Sequence, residues 1–186
     1  MIETNRLQEG IATSLSRPAT HQNLLAIAGS FRIECCDRHG NRKWIEKFDN
    51  AVVEAGKKYL LDALNTSLSA VGPYLGLISG TPTAAQADTM GTHPGWTEWT
   101  SVAARGTPTW TAASATGGTA TKTHSGSVSF AMTGSGTVGG CFIVLGTGAV
   151  TTIGNTGGIL YSVGSFTGKT VASGDTLNVT YSTTLS

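Results

Sequence analysis

The chain has 186 residues, a formal net charge of +1 and a charged fraction of only 12%. This length suits one domain with its own hydrophobic core, and the near-neutral charge excludes a strongly basic nucleic-acid-binding face or an acidic tail. No apolar run reaches the length of a membrane span, and the first residues lack the basic-then-apolar order of a signal peptide. We therefore expect cytoplasmic synthesis, with neither nucleic acid nor membrane as a partner.

The first 28 residues are predicted to form an N-terminal arm. Positions 1–23 show no repeating apolar face, and Pro18 interrupts any helix there. Fixing such a segment costs about 1–2 kcal/mol per residue, which a partner surface can offset. The arm carries apolar side chains suited to a neighbour's groove, so we expect them to contact a partner subunit: Ile2, Leu7, Ile11 and Leu15.

Residues 29–186 are predicted to form the folded domain, which opens with a β-hairpin. Apolar residues alternate with polar ones over 31–36, as in a strand with one buried face. The turn 37–41 contains Gly40, and the return strand runs over 42–48. Cys35 and Cys36 then lie on opposite faces, and we expect all three cysteines of the chain to be reduced.

One helix is predicted over about 51–64. Asn50 is a suitable N-cap, and Asn65 is a suitable stop. Apolar residues recur at helical spacing, and the stripe of Leu60, Leu61 and Leu64 indicates core packing rather than a cofactor site.

Strands and loops are predicted after the helix. A short strand over 74–78 precedes a long connection, 79–95, that contains two prolines, and a connection of this length is often functional. Residues 112–126 consist almost entirely of Ala, Thr, Ser and Gly, which predicts a loop or a weakly specified strand.

The last third gives the clearest β pattern. Residues 141–145 form a continuous apolar run, which predicts a strand buried on both faces, and 177–185 alternate as a half-buried strand does. Short strands joined by glycine turns favour a mainly β domain, an antiparallel β-sandwich or jelly-roll-like fold with one α-helix.

One glycine motif resembles a dinucleotide-binding loop. Residues 134–139 match G-x-G-x-x-G, but a strand pattern follows where the nucleotide motif requires a helix. We therefore interpret the motif as a hairpin loop. The four histidines are not paired at metal-ligand spacing, and no serine elbow or carboxylate pair is evident. The sequence thus predicts no catalytic, metal or cofactor site, and we expect a protein that is not an enzyme.

Three tryptophans, Trp96, Trp99 and Trp110, lie close together in the chain. Three interpretations remain open: they anchor a long loop to the sheet, they fill pockets on a partner subunit, or they stack on a sugar or base. Only Arg105 is a nearby cation, which disfavours base stacking. We include the three residues, with the apolar arm residues, in the predicted partner interface.

Several stretches carry a family resemblance: 34–44, 48–50, 74–78, 87–90, 95–98, 137–140 and 173–180. In their order and spacing, residues 31–186 resemble a family of small virion-associated proteins encoded among the head and tail genes of tailed bacteriophages and prophages. The resemblance implies a structural role and supplies no catalytic residues.

Within a virion, the resemblance favours a capsid decoration (cement) protein. Such a protein is made in the host bacterial cytoplasm, binds the major capsid protein on the capsid exterior and stabilises the shell, here as an expected homo-oligomer, a dimer or trimer. Two alternatives remain: a tail or head appendage component, such as a fibre base or adaptor, and a carbohydrate-binding module for host recognition. Copy number per particle separates the first two, and glycan binding identifies the third.

Overall fold

A computed structural model describes residues 26–65 and 71–186, which form nine β-strands and one α-helix. All strand pairs are antiparallel, so the predicted mainly β fold with one helix is confirmed. In chain order the elements are β1 (Ile27–Cys36), β2 (Arg42–Val52), α1 (Glu54–Asn65), β3 (Tyr74–Ser79), β4 (Ser114–Thr116), β5 (Thr119–Thr123), β6 (Val128–Ala131), β7 (Gly136–Leu145), β8 (Ile159–Val171) and β9 (Thr176–Leu185).

The strands belong to one curled sheet with the order β3-β7-β8-β2-β1-β9-β5-β4. One edge of β9 pairs with β1 along its whole length, whereas its other edge is shared. β6 pairs with the first half of β9, and β5 pairs with the second half. Because the sheet curls, its two halves face each other across a core, as the layers of a sandwich do.

The connection between β3 and β4 bridges the two ends of the curl. The backbone amides of Leu75 and Gly106 each donate to the other's carbonyl at an N···O distance of 2.8 Å. On its other side Gly106 lies against β6, where an added Cβ would come within 2.0 Å of Val128 Cγ1. A residue without a side chain is therefore required where this segment passes between β3 and β6.

Two hydrophobic clusters lie on opposite faces of the sheet. The inner cluster fills the curl, and the outer cluster lies beneath the start of α1 and the loops 80–96 and 146–158. Along β7, Cys141 and Ile143 face the inner cluster, whereas Phe142 and Val144 face the outer one. The strand is thus buried on both faces, as its apolar run predicts.

The β1–β2 hairpin is longer than predicted, because β1 begins at Ile27 and β2 continues to Val52. Cys35 is buried and Cys36 is half-buried, in keeping with opposite faces. β1 also begins two residues before the predicted start of the domain at 29. The arm residues Ile2, Leu7, Ile11 and Leu15 lie outside the described residues, and their contacts stay a prediction.

The helix begins later than predicted, and Asn50 is not its N-cap. The pairing of β2 with β8 extends through Val52, so Asn50 lies in the sheet, where its side-chain amide donates to the Tyr181 hydroxyl (N···O 3.0 Å). The first amide of the helix, that of Glu54, donates to the Gln86 carbonyl. The core-stripe prediction is correct for Leu60, which packs on the inner cluster, and wrong for Leu61, which is 60% exposed. The side chain of Leu64 lies outside the described part of the chain.

Candidate functional site: the groove at the open end of the sheet

Trp96 anchors the long connection to the outer cluster. Its indole Nε1 donates to Asp88 Oδ2 at 2.9 Å, and the His93 ring stacks on it with a centroid distance of 3.8 Å. Its other neighbour is the Phe142 ring, at 5.3 Å. The Trp96 side chain is buried in the chain's own core, so in this conformation it is not exposed to a partner or a ligand.

Trp99 is likewise buried, in the inner cluster. Its amide donates to the Leu77 carbonyl, and its ring lies over Gly136, where an added Cβ would be 2.7 Å from Cη2. Of the three interpretations of the tryptophans, loop anchoring describes the geometry of Trp96 and Trp99.

A buried ion pair also anchors the connection between β3 and β4, at Glu98 and Arg105. The Arg105 side chain is fully buried and contacts Glu98 through two hydrogen bonds, Nε to Oε1 at 2.7 Å and Nη2 to Oε2 at 2.8 Å. The guanidinium also donates to the carbonyls of Val150 and Asn155, and the Gly154 amide donates to Glu98. This pair therefore fixes two loops to each other.

The Arg105–Glu98 pair was not identified from the sequence. One signal was present, because Arg105 is the only charged residue between positions 101 and 121. An isolated cation in an uncharged stretch is typical of a buried, paired side chain. Its partner, however, is set by the path of the loop.

Asp175 has a comparable role at the turn before β9. Its Oδ2 accepts from Lys43 Nζ at 2.6 Å and from the Ala172 amide at 2.8 Å. Burial favours the protonated acid, but these hydrogen bonds outweigh it and lower the pKa of Asp175. Burial and the neighbouring carboxylate raise the pKa of the Cys35 thiol to about 12, so this thiol is not activated.

The glycine motif and the potential metal ligands were the sequence features closest to a chemical site. β7 begins at Gly136, so the last four residues of the glycine motif are strand and no helix follows them. The motif is not a hairpin loop, however, because β6 pairs with β9 whereas β7 pairs with β3 and β8. No group of three or more potential metal ligands occurs among the residues that the structure describes. Within these same residues, no helix is both long and apolar enough to span a membrane.

The open end of the curled sheet instead presents an apolar groove. It consists of two adjoining depressions of about 230 and 280 Å³ that share Leu60, Lys122, Tyr161 and Thr183. Its walls come mainly from α1, β1, β5, β7, β8 and β9, and they continue the inner cluster to the surface. The apolar residues that line them include Ile27, Leu60, Pro73, Trp110, Ile143, Leu145 and Leu185.

Trp110 is the one tryptophan of the predicted interface that lines this groove. It is half-buried, with its ring edge-on to His124 (centroid distance 4.6 Å) and Tyr181 (6.0 Å). Its indole Nε1 is buried and has no hydrogen-bond partner among the described residues. The groove therefore has an aromatic wall, which suits an apolar segment.

Burial favours the neutral forms of three side chains in and beneath the groove, Tyr161, Tyr181 and His124. Burial raises the pKa of Tyr181 to about 12 and raises that of Tyr161, and it lowers the pKa of His124. Lys122 is the single charged side chain among the described residues that line the groove. The groove is therefore apolar with one cation at its rim.

Comparison with known proteins gives no relative. No family model matches the chain, no curated protein is significantly similar to it, and no solved structure matches its fold.

Proposed function

We propose that this protein is a structural component of a tailed-phage virion, a capsid decoration protein that binds the major capsid protein from outside and stabilises the shell. One observation carries the proposal. The buried charged side chains Asp88, Glu98, Arg105 and Asp175 all fix loops, whereas an apolar groove is open at the surface. Such a molecule is equipped for binding rather than for bond chemistry. The family resemblance of residues 31–186 adds support.

A rigid surface benefits a protein that docks on a lattice. The connection between β3 and β4 is held at Trp96, at Trp99 and at the Arg105–Glu98 pair, so its outer surface is already ordered before binding. Preorganisation lowers the entropy lost on docking, and contacts repeated on a symmetric shell add to the total binding strength.

The main alternative is a tail or head appendage component, such as a fibre base or adaptor. The burial of Trp96 and Trp99 argues against the carbohydrate-binding alternative, because a stacking platform needs exposed rings.

The copy number in purified particles tests the proposal. Quantitative mass spectrometry should find this chain in numbers comparable to those of the major capsid protein. A copy number of a few per particle would support the appendage role, and absence from purified particles would overturn the virion assignment.

A further inference from the structure

The groove lies where the chain enters the sheet. The Ala26 amide donates to the Ser186 carbonyl at 2.7 Å, and the Ser186 amide donates back at 3.0 Å. The next pair, Ile27 and Leu185, lines the groove, and Leu185 is 38% exposed. Residue 25, the last of the N-terminal segment 1–25, is therefore joined to the rim of the groove.

We propose that the groove receives the N-terminal segment of a second copy of this chain. The proposal rests on the proposed function, because copies of a decoration protein lie side by side on the particle. At about 3.3 Å per residue, a fully extended 25-residue segment reaches at most roughly 80 Å, so its length does not confine it to its own domain.

The chemistry of the segment matches that of the groove. The groove is apolar with one cation, Lys122, which forms no ion pair with a described carboxylate. In the segment, Glu9 lies between Leu7 and Ile11, so one carboxylate is flanked by two apolar side chains. Leu7 and Ile11 fit the apolar walls, and Glu9 fits the Lys122 ammonium.

Disulfide trapping with the full-length protein tests the proposal. Ile11→Cys and Leu185→Cys are made in separate chains, each also carrying Cys36→Ser to remove the half-buried native thiol. Mild oxidation of the mixed chains should give a disulfide-linked heterodimer. The matched control pairs Ile11→Cys with Thr156→Cys, an exposed position in the 146–158 loop, and should give at least several-fold less.

Three results would overturn the proposal: no heterodimer, equal yields from the two pairs, or a double variant Ile11→Cys/Leu185→Cys that links only within one chain. Because this measurement uses purified protein, its failure is distinct from failure of the virion assignment, which depends on particle content.

A charge swap provides the second test. Lys122 is exposed, so Lys122→Glu should leave the unfolding midpoint unchanged while lowering the trapping yield several-fold. Glu9→Lys in the donor chain should lower the yield similarly, and combining it with a Lys122→Glu acceptor should restore the yield. A yield that responds to neither change, or that the swap does not restore, would rule out the proposed pairing of Glu9 with Lys122.

Discussion

At the scale of single residues, the charges in the interior of this protein are paired with groups on loops of the same chain. Arg105 is matched by one carboxylate and two carbonyls, and Glu98 by one guanidinium and one amide. A buried charge costs several kcal/mol when it loses its partner, which explains why both members of the pair are fully engaged.

Arg105→Met is expected to destabilise the protein by about 3–5 kcal/mol, because it leaves Glu98 buried beside a single amide donor. Urea unfolding measures the change. The matched control is Arg32→Met, which breaks the exposed pair with Glu34 and should cost at most about 1 kcal/mol. Equal losses in the two variants would show that Arg105 does not hold the loops.

Asp175 should make the stability of the protein depend on acid pH. Its pKa is lower in the folded state than in the unfolded state, so its contribution is complete above the unfolded pKa of about 4 and is lost as pH falls through the folded value. Thermal unfolding between neutral and acid pH should therefore show a shallower acid decline for Asp175→Asn and for Lys43→Met than for the wild type. If the stability of the wild type, of Asp175→Asn and of Lys43→Met fell in parallel with pH, this account of Asp175 would be contradicted.

At the scale of secondary-structure elements, the sequence predicted the parts that depend on local pattern. The alternation over 31–36 and 177–185 reports burial of one strand face, and both stretches lie within strands. For the hairpin of β4 and β5 the sequence predicts only a loop or a weakly specified strand, because its Ala, Thr and Ser residues show no alternation of apolar and polar side chains. In the structure these residues are exposed or half-buried.

Features that depend on long-range strand pairing could not be predicted from the sequence. Asn50 has the side chain of a helix cap, but pairing of β2 with β8 places it in a strand. The groove could not be predicted from the sequence either, because its walls combine residues from separate elements. Among these residues are Leu60, Lys122, Tyr161 and Leu185. Of the residues that line the groove, the sequence assigns only Trp110 to a partner interface, because it lies close to two other tryptophans. The same argument assigns Trp96 and Trp99 to that interface, although both are buried in the core.

A substitution at Gly106 tests whether the connection between β3 and β4 packs tightly against β6. Gly106→Ala should destabilise the protein by about 1–3 kcal/mol, because the new Cβ would overlap Val128 Cγ1. Val128→Ala in the same chain should recover part of the loss, which a double-mutant cycle measures. Gly126→Ala is the matched control, since no heavy atom lies within 4 Å of its Cβ position. Equal effects at the two glycines would show that the approach to β6 is not tight.

At the scale of the whole molecule, a curled sheet with a filled interior leaves its outer faces and its groove for recognition. The curl buries the inner cluster, and the loops 80–96 and 146–158 cover the outer cluster. Within residues 26–65 and 71–186, the groove is a remaining apolar opening. This distribution suits a module that adheres to other subunits through a preformed surface.

Rebinding to undecorated heads is the measurement that tests the central claim most directly. Particles produced without this protein are mixed with the purified full-length chain, separated from unbound protein and examined by cryo-electron microscopy. The account predicts saturable binding at regular positions on the outer surface of the head and an increase in the temperature at which the shell ruptures. Binding confined to tails, or no binding to either structure, would contradict it.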